Sequence, residues 1–367
     1  MVQTELITNT CPRVYMNIQK SLIVLIFTCM TMAFGALNAF AKIEDLNFKM
    51  APNRVLSFQI IRASKATLPT FLFLPGVNRS LLAEDEALQT LSHQGFGIVT
   101  MNFSTQPFSI SHLEKNIKPS FLSTTYKLED FATEVSALSS ELKKNYGVKT
   151  IIPVSISFSS AVSSTMQDAP FIIDSVPMTS SAAVNPELEA YRSYLKSGEI
   201  FNPIYGPAIT RSLLDETYYK EWRDQVDSIT KQFDLNVDRK SEMVEGYTVF
   251  SRAAEGFVWD LKKTSAQTRR IFIFARNDSA LLLKDQLSVF LKVLASTPNA
   301  LAFLVNDSGH VVPTEQPQAY ANILTYLVSA DIKTVSGIFE VQPGTDKPKF
   351  YQGAEAKKYI SDLINSL

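Results

Sequence analysis

Residues 151–161 read Ile151-Ile152-Pro153-Val154-Ser155-Ile156-Ser157-Phe158-Ser159-Ser160-Ala161. An apolar run of strand character passes through a tight turn into a small-residue stretch that suits a helix. A serine at such a turn, Ser157, stands clear of the backbone on a strained φ/ψ at the helix N-terminus. Its neighbours two before and two after must be small, because the turn brings their backbones close. Here both are serine, Ser155 and Ser159. The start of the helix also favours negative charge developing beside the Ser157 hydroxyl.

The flanking sequence repeats the strand-then-helix pattern. Val55 to Ile61 is rich in β-formers, and Pro69 to Leu74 (PTFLFL) is a short apolar run ending at Pro75-Gly76. Leu81 to Gln94 has helical spacing and stops at Gly95. Gly97 to Phe103 reads as a strand. Leu128 to Tyr146 reads as an amphipathic helix closed by Gly147, and Val148 to Ser155 as the next strand. After a lapse the pattern returns, with strands at Arg270 to Ala275 and Ala300 to Val305 and helices at Leu283 to Ala295 and Glu315 to Ser329. Strands spaced by helices imply βαβ units and an α/β fold with a mostly parallel central sheet flanked by helices. The lapse, residues 185–265, is mainly helical and charged but rich in aromatic residues, among them Trp222, Phe250, Phe257 and Trp259. It reads as an inserted helical lid, its aromatics more often core than substrate contacts. The core then comprises 42–184 and 266–330. Residues 331–367 read as a C-terminal extension with a Pro/Gly-containing segment and a last short helix.

A serine hydroxyl alone is a poor nucleophile. It needs a base to take its proton and a carboxylate to orient that base. Asp278 follows the strand at 270–275, and His310 follows the strand at 300–305. Strand ends on one edge of a parallel sheet converge, so these distant residues can meet there. Asp307 is a rival carboxylate, but it lies close to His310 along the chain and suits a turn cap. His93 and His112 lack such context and read as surface residues. An oxyanion site needs backbone N–H donors. The turn Leu74-Pro75-Gly76-Val77 supplies one at Val77, and Phe158 supplies the other. Arg79, just beyond, reads as a surface arginine that could also meet an anionic substrate.

These residues resemble the α/β-hydrolase fold family. The likeness covers most of 53–330 and rests on LPGV at 74–77, SISFS at 155–159, RND at 276–278 and GHVVPTEQP at 309–317. The resemblance implies a nucleophile at Ser157, an acid at Asp278, a base at His310 and a helical lid. Two features depart from the family pattern. Glycine is usual at the positions of Ser155 and Ser159, and Pro153 stands inside a central strand, where it removes a ladder hydrogen bond. The reading that follows is a serine hydrolase of the carboxylic ester class, acting on a small-molecule or lipid acyl ester and needing neither a metal nor an organic cofactor. A second reading is a hydrolase-like chain that binds a ligand or a protein without catalysis, its altered turn no longer competent. A third is acyl transfer, with an alcohol replacing water.

Composition narrows the classes further. Apolar residues make up 46% of the 367-residue chain, enough for a core, so disorder is excluded. Lys+Arg is 35 against Asp+Glu 36, so no basic field exists to hold nucleic acid. There is no HExxH, CxxC or GxxxxGK[ST] motif. Residues 1–41 read as a leader. From Met16, a possible second start, Lys20 precedes an apolar stretch from Leu22 to Leu37, and Ala39-Phe40-Ala41 is a small-x-small cleavage site. An exported chain, periplasmic or secreted, is expected. The alternative is an uncleaved anchor, the only route to a membrane that this reading allows. Both cysteines, Cys11 and Cys29, fall in the leader, so the exported part would hold no disulfide.

Overall fold

The computed structural model describes residues 42–367 apart from 77–80, 167–168, 170, 182–238, 261–268, 279, 298, 330–331, 333–334 and 346–347. The leader and most of the segment expected to form a lid therefore lie outside the described residues. Residues 43–367 form one compact unit.

Among the described residues ten strands form one sheet. They are β1 (Glu44–Ala51), β2 (Arg54–Ile61), β3 (Thr70–Leu74), β4 (Gly97–Met101), β5 (Ile151–Ile156), β6 (Phe171–Ser175), β7 (Arg269–Ala275), β8 (Leu301–Val305), β9 (Gly337–Val341) and β10 (Lys349–Tyr351). Their order is β1-β2-β4-β3-β5-β6-β7-β8-β9-β10. From β4 through β9 every pair is parallel, while β1–β2, β2–β4 and β9–β10 are antiparallel. The connection from β3 runs outward to β4, and the next crosses back over β3 to β5. The winding reverses beside β3, where ligand crevices open at the carboxyl ends of parallel strands.

Among the described residues the α-helices are α1 (Glu86–His93), α2 (Pro107–Ser111), α3 (Leu128–Asn145), α4 (Ser159–Ser163), α5 (Lys240–Ala253), α6 (Leu283–Ser296), α7 (Val312–Glu315), α8 (Pro317–Ser329) and α9 (Gly353–Ser366). On α3 the buried residues Phe131, Glu134, Val135, Leu138 and Leu142 recur at three- and four-residue steps, the mark of one face. Gly147, at φ +69, stops it in the left-handed region, as the sequence predicts.

Strand interiors are buried on both faces, as a sheet covered by helices requires. In β3, Leu72 and Leu74 join Val99, Phe131 and Phe158 in one cluster, while Phe71 packs against Phe96. A second cluster joins Phe272 and Phe274 of β7 with Phe290 of α6 and Ile360 of α9. Each such side chain contributes roughly 1.5–3 kcal/mol by leaving water.

Several boundaries differ from the sequence reading. Helix α1 starts at Glu86 rather than Leu81, because the Asp85 carboxylate accepts the Leu82 N–H and closes a turn first. The helix expected over Glu315–Ser329 starts at Pro317 instead, after a separate helix at Val312–Glu315; Gln316 parts the two, because Pro317 disfavours helical backbone in the residue before it. Strands β1 and β6 were not anticipated. The segment 331–367 continues the core. β9 pairs with β8, β10 pairs with β9, and α9 packs on α6.

Pro153 is accommodated by register. The Ser157 N–H donates to Ser175 O on β6, so by two-residue alternation the missing N–H of Pro153 faces β6 as well. The β5–β6 ladder begins only at Val154–Ile173, one residue later.

Candidate active site

Ser157 follows β5 directly and has φ +56. For a residue with a Cβ this left-handed conformation costs roughly 1–2 kcal/mol, so the surroundings must hold it. Ser159 does so locally. Its Oγ accepts the Ile156 N–H at 2.7 Å and lies 3.1 Å from Leu74 O and 3.0 Å from Ile156 O. The serine that stands where the family usually has glycine thus ties the turn to the end of β3. Ser160 Oγ donates to Ser157 O at 2.6 Å and accepts the Met178 N–H at 2.7 Å.

The three expected side chains meet. His310 Nε2 lies 2.9 Å from Ser157 Oγ. His310 Nδ1 lies 3.0 and 3.1 Å from the two Asp278 carboxylate oxygens. Ser157, Asp278 and His310 follow β5, β7 and β8, so one sheet edge gathers them. Two bonds join the loops that carry the last two: Asn277 N–H donates to Ser308 O and Arg276 N–H to Val305 O, each at 2.9 Å.

Asp278 is fixed from several sides. Its Oδ1 accepts the N–H groups of Ala280 and Leu281, both at 2.9 Å, and its Oδ2 accepts Gln286 Nε2 at 3.0 Å. Glu315 grips the backbone on either side of His310, taking the Gly309 N–H at 2.6 Å and the Val311 N–H at 3.1 Å. Burial acts to lower the His310 pKa. The charge and hydrogen bond of Asp278, with the charge of Glu315, outweigh it and hold the imidazole above its ordinary 6.5.

Phe158 caps α4, with its ring buried 4.3 Å from that of Phe250 on α5. Its N–H belongs to a first helical turn, whose donors have no intrahelical acceptor. Val77 and Arg79 lie outside the described residues. Gly76, next to Val77, is held by Gln106 Nε2, which donates to its carbonyl at 3.2 Å. Asp307, at φ +52, caps its turn: its carboxylate accepts Gln342 Nε2 and its carbonyl accepts Gln316 Nε2, both at 2.7 Å. His93 and His112 are exposed and stand apart from these groups. Of the aromatic residues expected in a lid, Phe250 and Trp259 are buried in the core. Among the described residues no cluster of His, Cys, Asp and Glu could hold a metal ion.

The supporting residues Gln286, Gln106 and Glu134 were not singled out from sequence, and Glu315 entered only within the motif at 309–317. Glu134 is wholly buried and accepts Arg54 Nε and the Ser104 N–H, each at 3.0 Å, bracing the turn after β4. Burial pushes its carboxyl pKa up, against the pull of Arg54 and Ser104. A carboxylate on the apolar stripe Phe131–Val135–Leu138 is the signal that could have marked it.

No protein-family model matches the sequence, and no curated protein matches it. Solved structures do match. An α/β-hydrolase enzyme from a Medee basin deep-sea metagenome library superposes with a TM-score of 0.55 at 12% identity, over 78% of this chain and 98% of that one. A carboxylesterase from Bacillus subtilis gives 0.53 at 12% identity, over 83% and 98%. A membrane phospholipase A described as a bacterial virulence factor gives 0.53 at 13% identity, over 86% and 100%. With its parallel sheet and flanking helices, this chain has the α/β-hydrolase fold.

Proposed function

We propose that this protein is a serine hydrolase that cleaves carboxylic esters through an acyl-enzyme. The observation that carries the reading is the unbroken run of hydrogen-bond contacts from Ser157 Oγ through His310 to Asp278. In this mechanism His310 Nε2 takes the Ser157 proton as Oγ attacks the ester carbonyl, and Asp278 stabilises the imidazolium. The Phe158 and Val77 N–H groups would hold the oxyanion, and losing one such donor typically costs about 10²–10³ in rate. The imidazolium then protonates the leaving alcohol. In the second half His310 activates water, which releases the acid and frees Ser157. No step requires a metal or an organic cofactor.

The substrate class is a small-molecule or lipid acyl ester. A carboxylesterase and a phospholipase among the structural neighbours accord with it. A lid over the acyl group would come from the part of 185–265 that precedes α5, because Phe250 and Trp259 belong to the core. The hydrogen bonds of Ser159 favour catalysis over the binding-only reading, since the replaced glycine leaves the turn braced. The leader at 1–41 would export the chain to a periplasm or the medium. No helix among the described residues is long and apolar enough to cross a membrane.

The test is hydrolysis of nitrophenyl esters of graded chain length. Turnover that disappears in Ser157→Ala supports the proposal; a folded wild type that turns over none of the series refutes it. An optimum at short chains would mark a closed acyl pocket, and a rise toward long chains a lipase-like one.

A further inference from the structure

A buried ionic cluster lies directly behind the Ser157 turn, and the reaction steps above do not use it. Asp174 on β6 is wholly buried and is the register partner of Ser155. Its Oδ1 accepts hydrogen bonds from Ser155 Oγ and Ser163 Oγ, each at 2.6 Å. Its Oδ2 accepts Arg270 Nη1 from β7 at 2.8 Å. Arg270 also lies 3.2 Å from Ser163 Oγ, donates to Ser163 O, and stands over the Trp259 ring at 5.2 Å.

One carboxylate therefore ties together the chain on both sides of Ser157. Ser155 lies two residues before it on β5, and Ser163 lies on the helix after it. Both are anchored through Asp174 and Arg270 to β6 and β7. A buried ion pair is a weak source of stability compared with apolar packing of the same volume. What it does supply is geometry, since charge-assisted hydrogen bonds are short and directional. A glycine at 155 would have no hydroxyl to reach Asp174. The serine thus converts a position that need only be small into a tether.

We propose that Asp174 is a positioning residue which, through Ser155 and Ser163 and with its charge balanced by Arg270, holds the Ser157 turn in attacking geometry. The inference rests on the reading of Ser157 as nucleophile.

The test compares wild type, Ser155→Ala, Asp174→Asn and the double variant on a short nitrophenyl ester. Rates are normalised to serines titrated by a fluorophosphonate, and melting temperatures are taken in parallel. In Ser155→Ala, kcat is expected to fall about tenfold, because small misplacements of a nucleophile are costly in rate. KM should stay within about twofold, and the pH midpoint of the acid limb should not move, since the His310–Asp278 pair is untouched. The double variant should lose no more than Asp174→Asn alone, because Ser155 acts through Asp174. Full kcat per titrated serine with only a lowered melting temperature overturns the inference, as do losses that multiply in the double variant. If Asp174→Asn does not fold, Ser155→Ala and Ser163→Ala decide: lowered kcat in both supports the tether, and full kcat in both overturns it. A folded wild type with no titratable serine overturns the hydrolase reading and this inference together. A titratable wild type whose Ser155→Ala variant keeps full kcat overturns this inference alone.

Discussion

His310 stands between two carboxylates with different tasks. Asp278 meets its ring, while Glu315 holds the backbone on either side of it. Both raise its pKa against the effect of burial. Only neutral imidazole can accept the Ser157 proton, so kcat/KM should rise with pH through a midpoint above 6.5, measured as the acid limb of a pH–rate profile. Glu315→Gln removes one raising charge and should move that midpoint down. Stability runs the other way. A folded pKa above the unfolded value favours the protonated form in the native state. That contribution is complete below the unfolded pKa and fades as pH climbs through the folded one. Asp278→Asn should lower kcat by about 10⁴, the effect known for the corresponding change in trypsin-like triads. Ser157, Asp278 and His310 were legible because each follows a strand end that the sequence marks. Asp174 and Gln286 were not, because their partners are set by packing that no spacing rule encodes. A lone charge in an apolar run, Asp174 in Phe171-Ile172-Ile173-Asp174-Ser175-Val176, is the trace that Asp174 leaves.

Elements were easiest to read where pattern and punctuation agree. Helix α3 combines a one-face apolar stripe with a glycine stop; it starts at Leu128 as read and ends at Asn145, one residue before the expected Tyr146. Strand β1 was missed although Leu46, Phe48 and Met50 alternate with polar residues, because it opens on two charges, Glu44 and Asp45, and lacks β-branched residues. Strand β6 was missed because it is only Phe171–Ser175, with a charge inside it. Helix α5 packs close to the turn after β4: a Cβ added at Gly246 would lie 1.9 Å from Thr105 O. Gly→Ala inside a helix ordinarily stabilises by about 0.5–1 kcal/mol. Here the sign should invert. Gly246→Ala is expected to lower stability by more than about 1 kcal/mol in urea unfolding, and an unchanged or raised midpoint would show that α5 can shift away freely.

At the scale of the molecule, the carboxyl edge of the sheet is the scaffold of the proposed site. β5, β7 and β8 each deliver one side chain to it, on the side of the sheet where the winding reverses beside β3. The parallel core was legible because strand and helix patterns alternate over most of its length. Its true end was not, since β9 and β10 are short and separated by turn residues. Removing residues 331–367 should not yield a trimmed active enzyme. It would strip β9 from β8 and α9 from α6, exposing Phe303 and the Phe290 cluster. The truncated chain is expected to be insoluble or to lose cooperative melting by circular dichroism, and a soluble, active truncation would contradict this. The proposed chemistry depends above all on Ser157 as an activated nucleophile, and mass spectrometry after exposure to a fluorophosphonate reads that directly. A single adduct on the peptide containing Ser157, absent in Ser157→Ala and formed far more slowly in His310→Ala, is the predicted result. Folded wild-type protein that stays unmodified, or carries its adduct on another residue, would contradict it.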